Sequence, residues 1–133
     1  MTVSARHDAT VDHLLGELEA PIMRLMWDRG AASVRDILEA LNRDGRDLAY
    51  TTVLTVMGRL AEKGFLERQR LGKKHVYRPT TTQEGFLRQA AAKRVQALVA
   101  DFGDVAIAQF LAEVTQLSPA RRRQLERLAS EPD

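Results

Sequence analysis

The feature that most constrains the fold of this chain is a change of hydrophobic period at Gly64. Before Gly64, apolar residues recur at intervals of three and four, which is typical of amphipathic helices. After Gly64, two short segments have the composition of strands, Phe65–Arg70 and His75–Arg78, and the four residues between them include a glycine and two lysines. This pattern predicts a two-stranded β-hairpin.

We predict three helices ahead of the hairpin. The first covers Leu18–Trp27 and is stopped by Gly30, because glycine readily adopts the left-handed conformation found at helix C-termini. The second follows Ser33, which can cap the helix together with Asp36 three positions later. The third covers Ala49–Lys63. Its apolar side consists of Val53, Val56, Met57 and Leu60.

The chain beyond Pro79 is helical in pattern again, over residues 83–100, 105–114 and 119–129. We therefore predict a mainly α fold with a small β-hairpin: a winged helix-turn-helix over residues 15–80, followed by a helical region over residues 81–133. This helical region is assigned to dimerisation on the grounds given below. Residues 1–14 are polar and lack a pattern, which predicts a mobile N-terminal arm.

Composition limits the class of protein. The 133 residues include no cysteine, which excludes disulfides, thiolate metal sites and a thiol nucleophile. No apolar run reaches the roughly 18 residues that span a bilayer, and the first residues lack the apolar segment of a signal peptide. We expect a soluble, cytoplasmic protein that does not bind membranes directly.

The formal net charge is only +2, but positive charge is concentrated in one segment. Residues 59–78 hold seven Lys or Arg and two Glu, a net charge of +5, so the other 113 residues carry −3. Such a segment is either a solvated surface or a site for a polyanion. The cations on or beside the hairpin turn, which would lie near a DNA backbone or minor groove, are Arg68, Arg70, Lys73 and Lys74.

The third helix carries three threonines opposite its apolar side, Thr51, Thr52 and Thr55. β-Branched residues lose rotamer freedom in helices, so three of them on an exposed side disfavour the helix. One interpretation is that they contact bases and phosphates in the major groove, where the second helix of a helix-turn-helix lies. The other is that Thr51 and Thr52 merely start the helix or bond back to the preceding turn.

Together these segments resemble the penicillinase-repressor family, the BlaI/MecI-type regulators. The most specific pattern is T-T-V-x-T-x-x-x-R-L-x-x-K-G, which runs from Thr51 to Gly64. Residues 15–27 before it, and Arg70 with His75–Pro79 after it, also fit the family. The resemblance covers residues 14–80 strongly and the helical tail more loosely.

This resemblance implies a transcriptional repressor that binds a palindromic DNA operator as a homodimer, with its C-terminal helices forming the dimer interface. The positions that match the family's DNA-contacting positions are Ala49, Tyr50, Thr51, Thr52, Thr55, Arg59, Arg70, Lys73 and Lys74. The family's copper-responsive branch carries a C-terminal cysteine cluster. This chain has no cysteine, so copper sensing through thiolates is excluded.

The tail is more apolar than three helices of one chain require, which predicts that it packs against a second copy. We assign the dimer interface to Phe102, Ile107, Phe110, Leu111, Val114, Leu125 and Leu128. The same apolar set includes Phe86, Val95, Leu98 and Val99.

Well-known members of the family are inactivated by proteolysis after a membrane sensor metalloprotease detects a β-lactam, at an Asn-Phe bond in the dimerisation region. This chain has Gln109-Phe110 at the corresponding place, so the Phe matches and the Asn does not. The resemblance thus implies a candidate cleavage site, a candidate partner in the sensor metalloprotease, and β-lactam-response or related genes as candidate targets. Phe110 also fits the dimer core, and both interpretations can hold together.

Other classes of function remain as alternatives. A winged-helix regulator that senses a small molecule would hold a ligand pocket between its tail helices, although five alanines within 90–100 leave little cavity volume. A protein–protein adaptor would need neither the basic hairpin nor the threonine-lined helix. We expect that this protein is not an enzyme and binds no cofactor or metal. His7, His13 and His75 form no metal-binding set, and no glycine-rich phosphate loop follows a strand.

Overall fold

A computed structural model describes residues 3–131 of the chain, with the side chains of residues 9–131. The helices in this range are α1 (Val3–Leu14), α2 (Glu19–Arg29), α3 (Val34–Arg43), α4 (Tyr50–Glu62), α5 (Gln83–Phe102), α6 (Asp104–Thr115) and α7 (Pro119–Ser130). The strands β1 (Leu66–Leu71) and β2 (Lys74–Pro79) form an antiparallel hairpin. The predicted class, mainly α with a small β-hairpin in a winged helix-turn-helix, is confirmed. No helix among the described residues is long and apolar enough to cross a membrane.

The chain divides into two units, the first ending at Leu87 and the second beginning at Arg88. The predicted boundary at residue 80 lies ahead of this division because the start of α5 belongs to the core of the first unit. Phe86 is buried there, with its ring centroid 5.4 Å from that of Trp27 and 5.1 Å from that of Phe65. The assignment of Phe86 to the exposed apolar set of the tail is therefore wrong.

The predicted mobile arm is also wrong for the described part of residues 1–14. These residues form α1, and Val11 is fully buried in the core of the first unit, next to the buried Leu15. The apolar stripe of α1 is too short to stand out among polar neighbours in the sequence, but packing of an apolar stripe is what stabilises most short helices. Met1 and Thr2 lie outside the described residues.

The ends of α2 and α3 follow the predicted signals. Gly30 ends α2 with a φ of 80°, and its N–H donates to the Met26 carbonyl at 2.8 Å. At the start of α3, the Asp36 N–H donates to Ser33 Oγ at 3.1 Å, and the Ser33 N–H donates to the Asp36 carboxylate at 3.0 Å. This reciprocal pair satisfies two N–H groups that the helix itself leaves without partners.

The core of the first unit lies between α2, α3 and α4, and the hairpin adds Leu66 and Tyr77 to it. All four residues predicted for the apolar side of α4 are buried. The orientation of α4 about its own axis is therefore fixed by the core, and its opposite side faces solvent.

The hairpin turn is shorter than predicted. Leu71 pairs with Lys74, so only Gly72 and Lys73 form the turn instead of four residues. Gly72 has a φ of 63°, the positive value that the first central residue of a type II′ turn requires. The tight turn places Lys73 at the tip of the hairpin and Lys74 at the start of β2.

Candidate nucleic-acid interface

The solvent-facing side of α4 begins at its N-terminus. Ala49 is the N-cap residue and provides no side-chain hydrogen bond to the helix. Thr51, Thr52 and Thr55 are exposed, and their hydroxyls make no hydrogen bond within the part of the chain that the structure describes. Capping or bonding back to the preceding turn therefore does not account for these threonines, whose hydroxyls are available to an external ligand.

Three strips can be distinguished on this side of α4, because each residue of a helix is rotated by about 100° from the one before. Thr51 and Thr55 point directly away from the buried side. Tyr50 and Leu54 lie toward the hairpin, and the strip on the other flank is formed by Thr52 and Arg59. All of these side chains are exposed.

The turn between α3 and α4 is held by Asn42. Its carboxamide oxygen accepts the Leu48 N–H at 2.9 Å, and its amide nitrogen donates to the Leu48 carbonyl at 3.2 Å. Two hydrogen bonds from one side chain thus replace missing backbone bonds just before α4 begins. Asn42 positions α4, a role that the sequence pattern of a polar turn did not reveal.

Tyr50, in the first turn of α4, contacts Arg35 of α3. The guanidinium carbon of Arg35 lies 5.7 Å from the centroid of the Tyr50 ring, which is within cation–π range. This contact restricts the Tyr50 ring on the exposed surface. Arg35 was not among the predicted site residues, because nothing in its sequence spacing relates it to α4.

The hairpin lies beside α4, and a cleft of about 360 Å³ separates them. The cleft brings Tyr50 close to two predicted hairpin residues, Lys73 and Lys74, and its other lining residues include Arg35, Leu54 and Arg68. Leu54 was not predicted as a site residue either. The sequence could have identified it, because Leu54 is an apolar residue on the otherwise polar side of α4.

Not every predicted residue reaches the cleft. Arg70 is exposed, but its Nε donates to the carbonyl of Gly72 at 3.0 Å, so the guanidinium lies along the turn. Thr51, Thr52, Thr55 and Arg59 lie on the neighbouring surface of α4 and do not line the cleft.

Asp36 lines the cleft, and its carboxyl is kept charged mainly by Ser33. The hydrogen bond from the Ser33 N–H, together with the Ser33 side chain, lowers the pKa of the Asp36 carboxyl, and the charges of Arg29 and Lys74 act in the same direction. Asp36 is therefore ionised at neutral pH while it caps α3. The surroundings of Asp36 remain basic overall. Among the described residues, no three His, Asp or Glu side chains are grouped as metal ligands would be.

The second unit presents apolar side chains to solvent. Most residues predicted for dimerisation are exposed, including Phe102 at 60% and Phe110 at 39%, whereas Leu125 is half-buried. On α6 the exposed residues predicted for dimerisation are Ile107, Phe110, Leu111 and Val114, and Val105, which was not predicted, is exposed as well. Gln109 of the candidate cleavage site is exposed beside Phe110.

The sequence profile of the penicillinase repressor family matches residues 15–131. The transcriptional regulator BlaI of Mycobacterium tuberculosis is 46% identical over 66 residues, which are 49% of this chain and 47% of that protein. The chain thus spans about half the length of the BlaI relatives that it matches. An uncharacterized 16.5 kDa protein of Latilactobacillus sakei is 30% identical over an alignment of 100 residues that covers 68% of each chain.

Solved structures show the same fold. The crystal structure of RV1404 from Mycobacterium tuberculosis matches 93% of this chain and 75% of that chain, with a TM-score of 0.50 and 16% sequence identity. At this identity the likeness concerns the fold alone. The family profile, in contrast, extends through the winged helix and the helical tail, and this chain belongs to the penicillinase repressor family.

Proposed function

We propose that this chain is a transcriptional repressor that binds a palindromic DNA operator as a homodimer. The observation that carries the proposal is the exposed side of α4, whose three threonine hydroxyls have no partner within the described residues and lie beside a hairpin rich in cations. A helix with free donors and acceptors fits the major groove, where base edges are read. Cations beside it fit the phosphates. A protein with this role works where the chromosome is, in the cytoplasm.

The two surfaces contribute differently to binding. Lys73 and Lys74 carry charge without a fixed pattern of donors, so they contribute affinity that is independent of sequence and weakens with salt. Thr51 and Thr52 offer hydroxyls and methyls, which can distinguish base pairs. The proposal therefore assigns affinity to the hairpin and sequence preference to α4.

The first experiment is selection of duplexes from a random pool by the purified protein, followed by affinity measurements at several salt concentrations. Lys73→Ala/Lys74→Ala should weaken all duplexes alike and reduce the slope of log K against log salt by about one unit per lost contact. Thr51→Ala should lower affinity for the selected duplex alone, by about 1–3 kcal/mol. Arg121→Ala/Arg123→Ala, which removes two cations from α7, is the matched control and should leave the salt slope unchanged. Loss of sequence preference in the lysine variant, with preference kept in the threonine variant, would contradict the assignment.

The exposed apolar side chains of the second unit support the homodimer. Burying them against a second copy would contribute roughly 25 cal/mol per Å² of apolar area. Two winged helices on one face of a duplex hold their recognition helices roughly 34–36 Å apart, which requires half-sites one helical turn apart. Linking them also raises the effective concentration of the second winged helix to the millimolar range.

Phe110→Asp tests the dimer and its coupling to DNA. The variant places a charge in the proposed interface and should be a monomer in sedimentation, with operator affinity reduced by orders of magnitude. The winged helix should keep its thermal transition, because Phe110 lies outside the first unit. Gln89→Asp, a polar-to-charged change at an exposed position on the side of α5 opposite Leu98, is the control. A Phe110→Asp protein that stays dimeric and binds the operator like the wild type would refute the coupling.

We further propose that this repressor controls β-lactam-response or related genes. A membrane sensor metalloprotease would release repression by causing cleavage between Gln109 and Phe110. Both residues are exposed on α6, and a cut there detaches α7 and the end of α6 from the proposed interface. Co-expression with such a sensor, with and without β-lactam, should yield a fragment that ends at Gln109 by intact mass. A chain that stays whole, or is cut elsewhere, would exclude this site.

A further inference from the structure

The strip of α4 nearest the hairpin carries an apolar surface that the core does not use. Leu54 is 40% exposed, and Tyr50, one turn earlier, is 43% exposed. Residues four positions apart on a helix are neighbours, so the two side chains form one continuous patch. Both line the cleft, whose other lining residues include Arg68 and Lys74.

Packing within the chain does not explain Leu54. Its neighbours on α4 that fill the core are Val53 and Met57, both fully buried. The cleft around the patch is lined by four cations and two carboxylates: Arg35, Arg68, Lys73, Lys74, Asp36 and Glu39. This net positive charge disfavours self-association through the patch, because a second copy would bring the same excess of cations against it. A polyanion that also presents a small apolar group would satisfy both features of this surface.

We propose that Leu54 is a specificity-determining residue that contacts the C5-methyl group of a thymine in the major groove. This inference rests on the proposed function. Among the four base pairs, only those containing thymine present a methyl group in that groove, and apolar side chains are the groups that recognise it. The hydroxyls of Thr51 and Thr55, on the adjoining strip, serve polar base edges or phosphates.

Tyr50, the other member of the patch, is itself in contact with Arg35 of α3. With the guanidinium 5.7 Å from the ring centroid, the Tyr50 ring is held on the side facing α3. Because Tyr50 precedes Leu54 by four residues on α4, its ring adds apolar surface beside Leu54.

The test uses the duplex that the wild-type protein selects from a random pool, with each thymine replaced singly by uracil, which lacks the methyl group. We expect one thymine in each half-site at which uracil lowers wild-type affinity about fourfold, the equivalent of about 0.8 kcal/mol for one buried carbon. Leu54→Ala should lose about the same factor on the thymine duplex and nothing further on the uracil duplex. Leu54→Met, which keeps an apolar side chain of similar volume, should retain the sensitivity to uracil.

Leu71→Ala is the matched control, because Leu71 is also an exposed leucine, at 57%, but lies on the hairpin. It should keep the full response to uracil. A Leu54→Ala protein that remains as sensitive as the wild type at every thymine overturns the inference alone, as does a wild type that selects a duplex but responds to no uracil. A wild type that selects no sequence overturns the proposed function and this inference together.

Discussion

Ala32 and Tyr77 exchange two backbone hydrogen bonds, one from the Ala32 N–H to the Tyr77 carbonyl at 3.0 Å and one from the Tyr77 N–H to the Ala32 carbonyl at 2.8 Å. The bridge joins the loop between α2 and α3 to β2. The Tyr77 side chain is buried in the core of the first unit. The base of the hairpin is therefore fixed by both backbone and side chain, while its tip at Lys73 is free to meet a ligand.

We expect Tyr77→Ala to destabilise the first unit by about 3 kcal/mol or more, because it leaves a cavity where a large buried side chain was. Urea unfolding followed by circular dichroism measures this change. Arg78→Ala, the exposed neighbour on the opposite face of β2, is the control and should shift the transition by no more than about 0.5 kcal/mol. Equal transitions for the two variants would show that the core does not depend on Tyr77.

Gly58→Ala should raise stability and lower DNA affinity together. Gly58 lies in the interior of α4, and a Cβ atom added there would meet nothing within 4 Å. Alanine in a helix interior is favoured over glycine by about 0.5–1 kcal/mol, so the melting temperature should rise. The added methyl group would stand on the strip shared with Thr51 and Thr55, where it would hinder close approach of a duplex.

The control for this prediction is Gly45→Ala. Gly45 has a φ of 95°, so alanine there is strained and should lower stability, although the space around it is open. A Gly58→Ala protein that bound the selected duplex as tightly as the wild type would place Gly58 outside the interface.

The free energy of unfolding should decrease in acid because two carboxylates, Glu19 and Asp36, become protonated. Glu19 accepts hydrogen bonds from the Gly16 N–H at 3.0 Å and from Lys63 Nζ at 2.8 Å. Burial raises the pKa of Glu19, but these bonds and the charge of Lys63 outweigh burial, so the pKa is lowered, as is that of Asp36. A carboxyl whose pKa is lower in the folded state than in the unfolded state stabilises the fold at pH values above its unfolded-state pKa. This contribution is lost as the pH falls through its folded-state pKa.

Because the unfolded values are about 4.3 for Glu and about 3.9 for Asp, the free energy of unfolding should be steady between about pH 5 and 7 and should decline below about pH 4. The double variant Glu19→Gln/Asp36→Asn should start less stable and decline less steeply. Urea unfolding at pH 7, 5, 4 and 3 compares the two curves. Parallel curves would show that other groups cause the acid sensitivity.

Phe86 and Phe102 lie in the same helix but should respond differently to alanine. Phe86→Ala removes a ring that contacts Trp27 and Phe65, and we expect a loss of about 3–5 kcal/mol from the first unit. Phe102 is exposed, so Phe102→Ala should leave that unit's transition unchanged and weaken association of the chain, which sedimentation measures. If Phe102→Ala unfolded the winged helix, the division of the chain at Leu87 would be wrong.

The parts of the fold that the sequence predicted are those with strong local signals. The buried side of α4 repeats at helical spacing, the Ser33 and Asp36 cap has the spacing of a known motif, and Gly72 marks the hairpin turn. Such signals lie within a few residues of each other, and the physical chemistry that they encode is local.

The parts that escaped prediction depend on contacts between distant segments. Val11 stabilises α1 only because a core from later segments is present to receive it, and Phe86 has the same periodicity as exposed residues of its own helix. Asn42 and Arg35 are ordinary polar residues until the turn before α4 brings Leu48 and Tyr50 beside them. The sequence therefore assigned the candidate site to α4 and the hairpin, but it did not identify the side chains that hold the site in shape.

The two sides of α4 can change independently over evolutionary time. Thr51, Leu54 and Thr55 contact solvent, so substitutions there have little effect on folding, whereas the buried side fixes where those positions stand. On the proposed function, a lineage can thus change its DNA sequence preference by substitutions at these three positions without losing the fold. In protein engineering, the exposed residues of the same helix can be randomised in a library while the rest of the protein is left as it is.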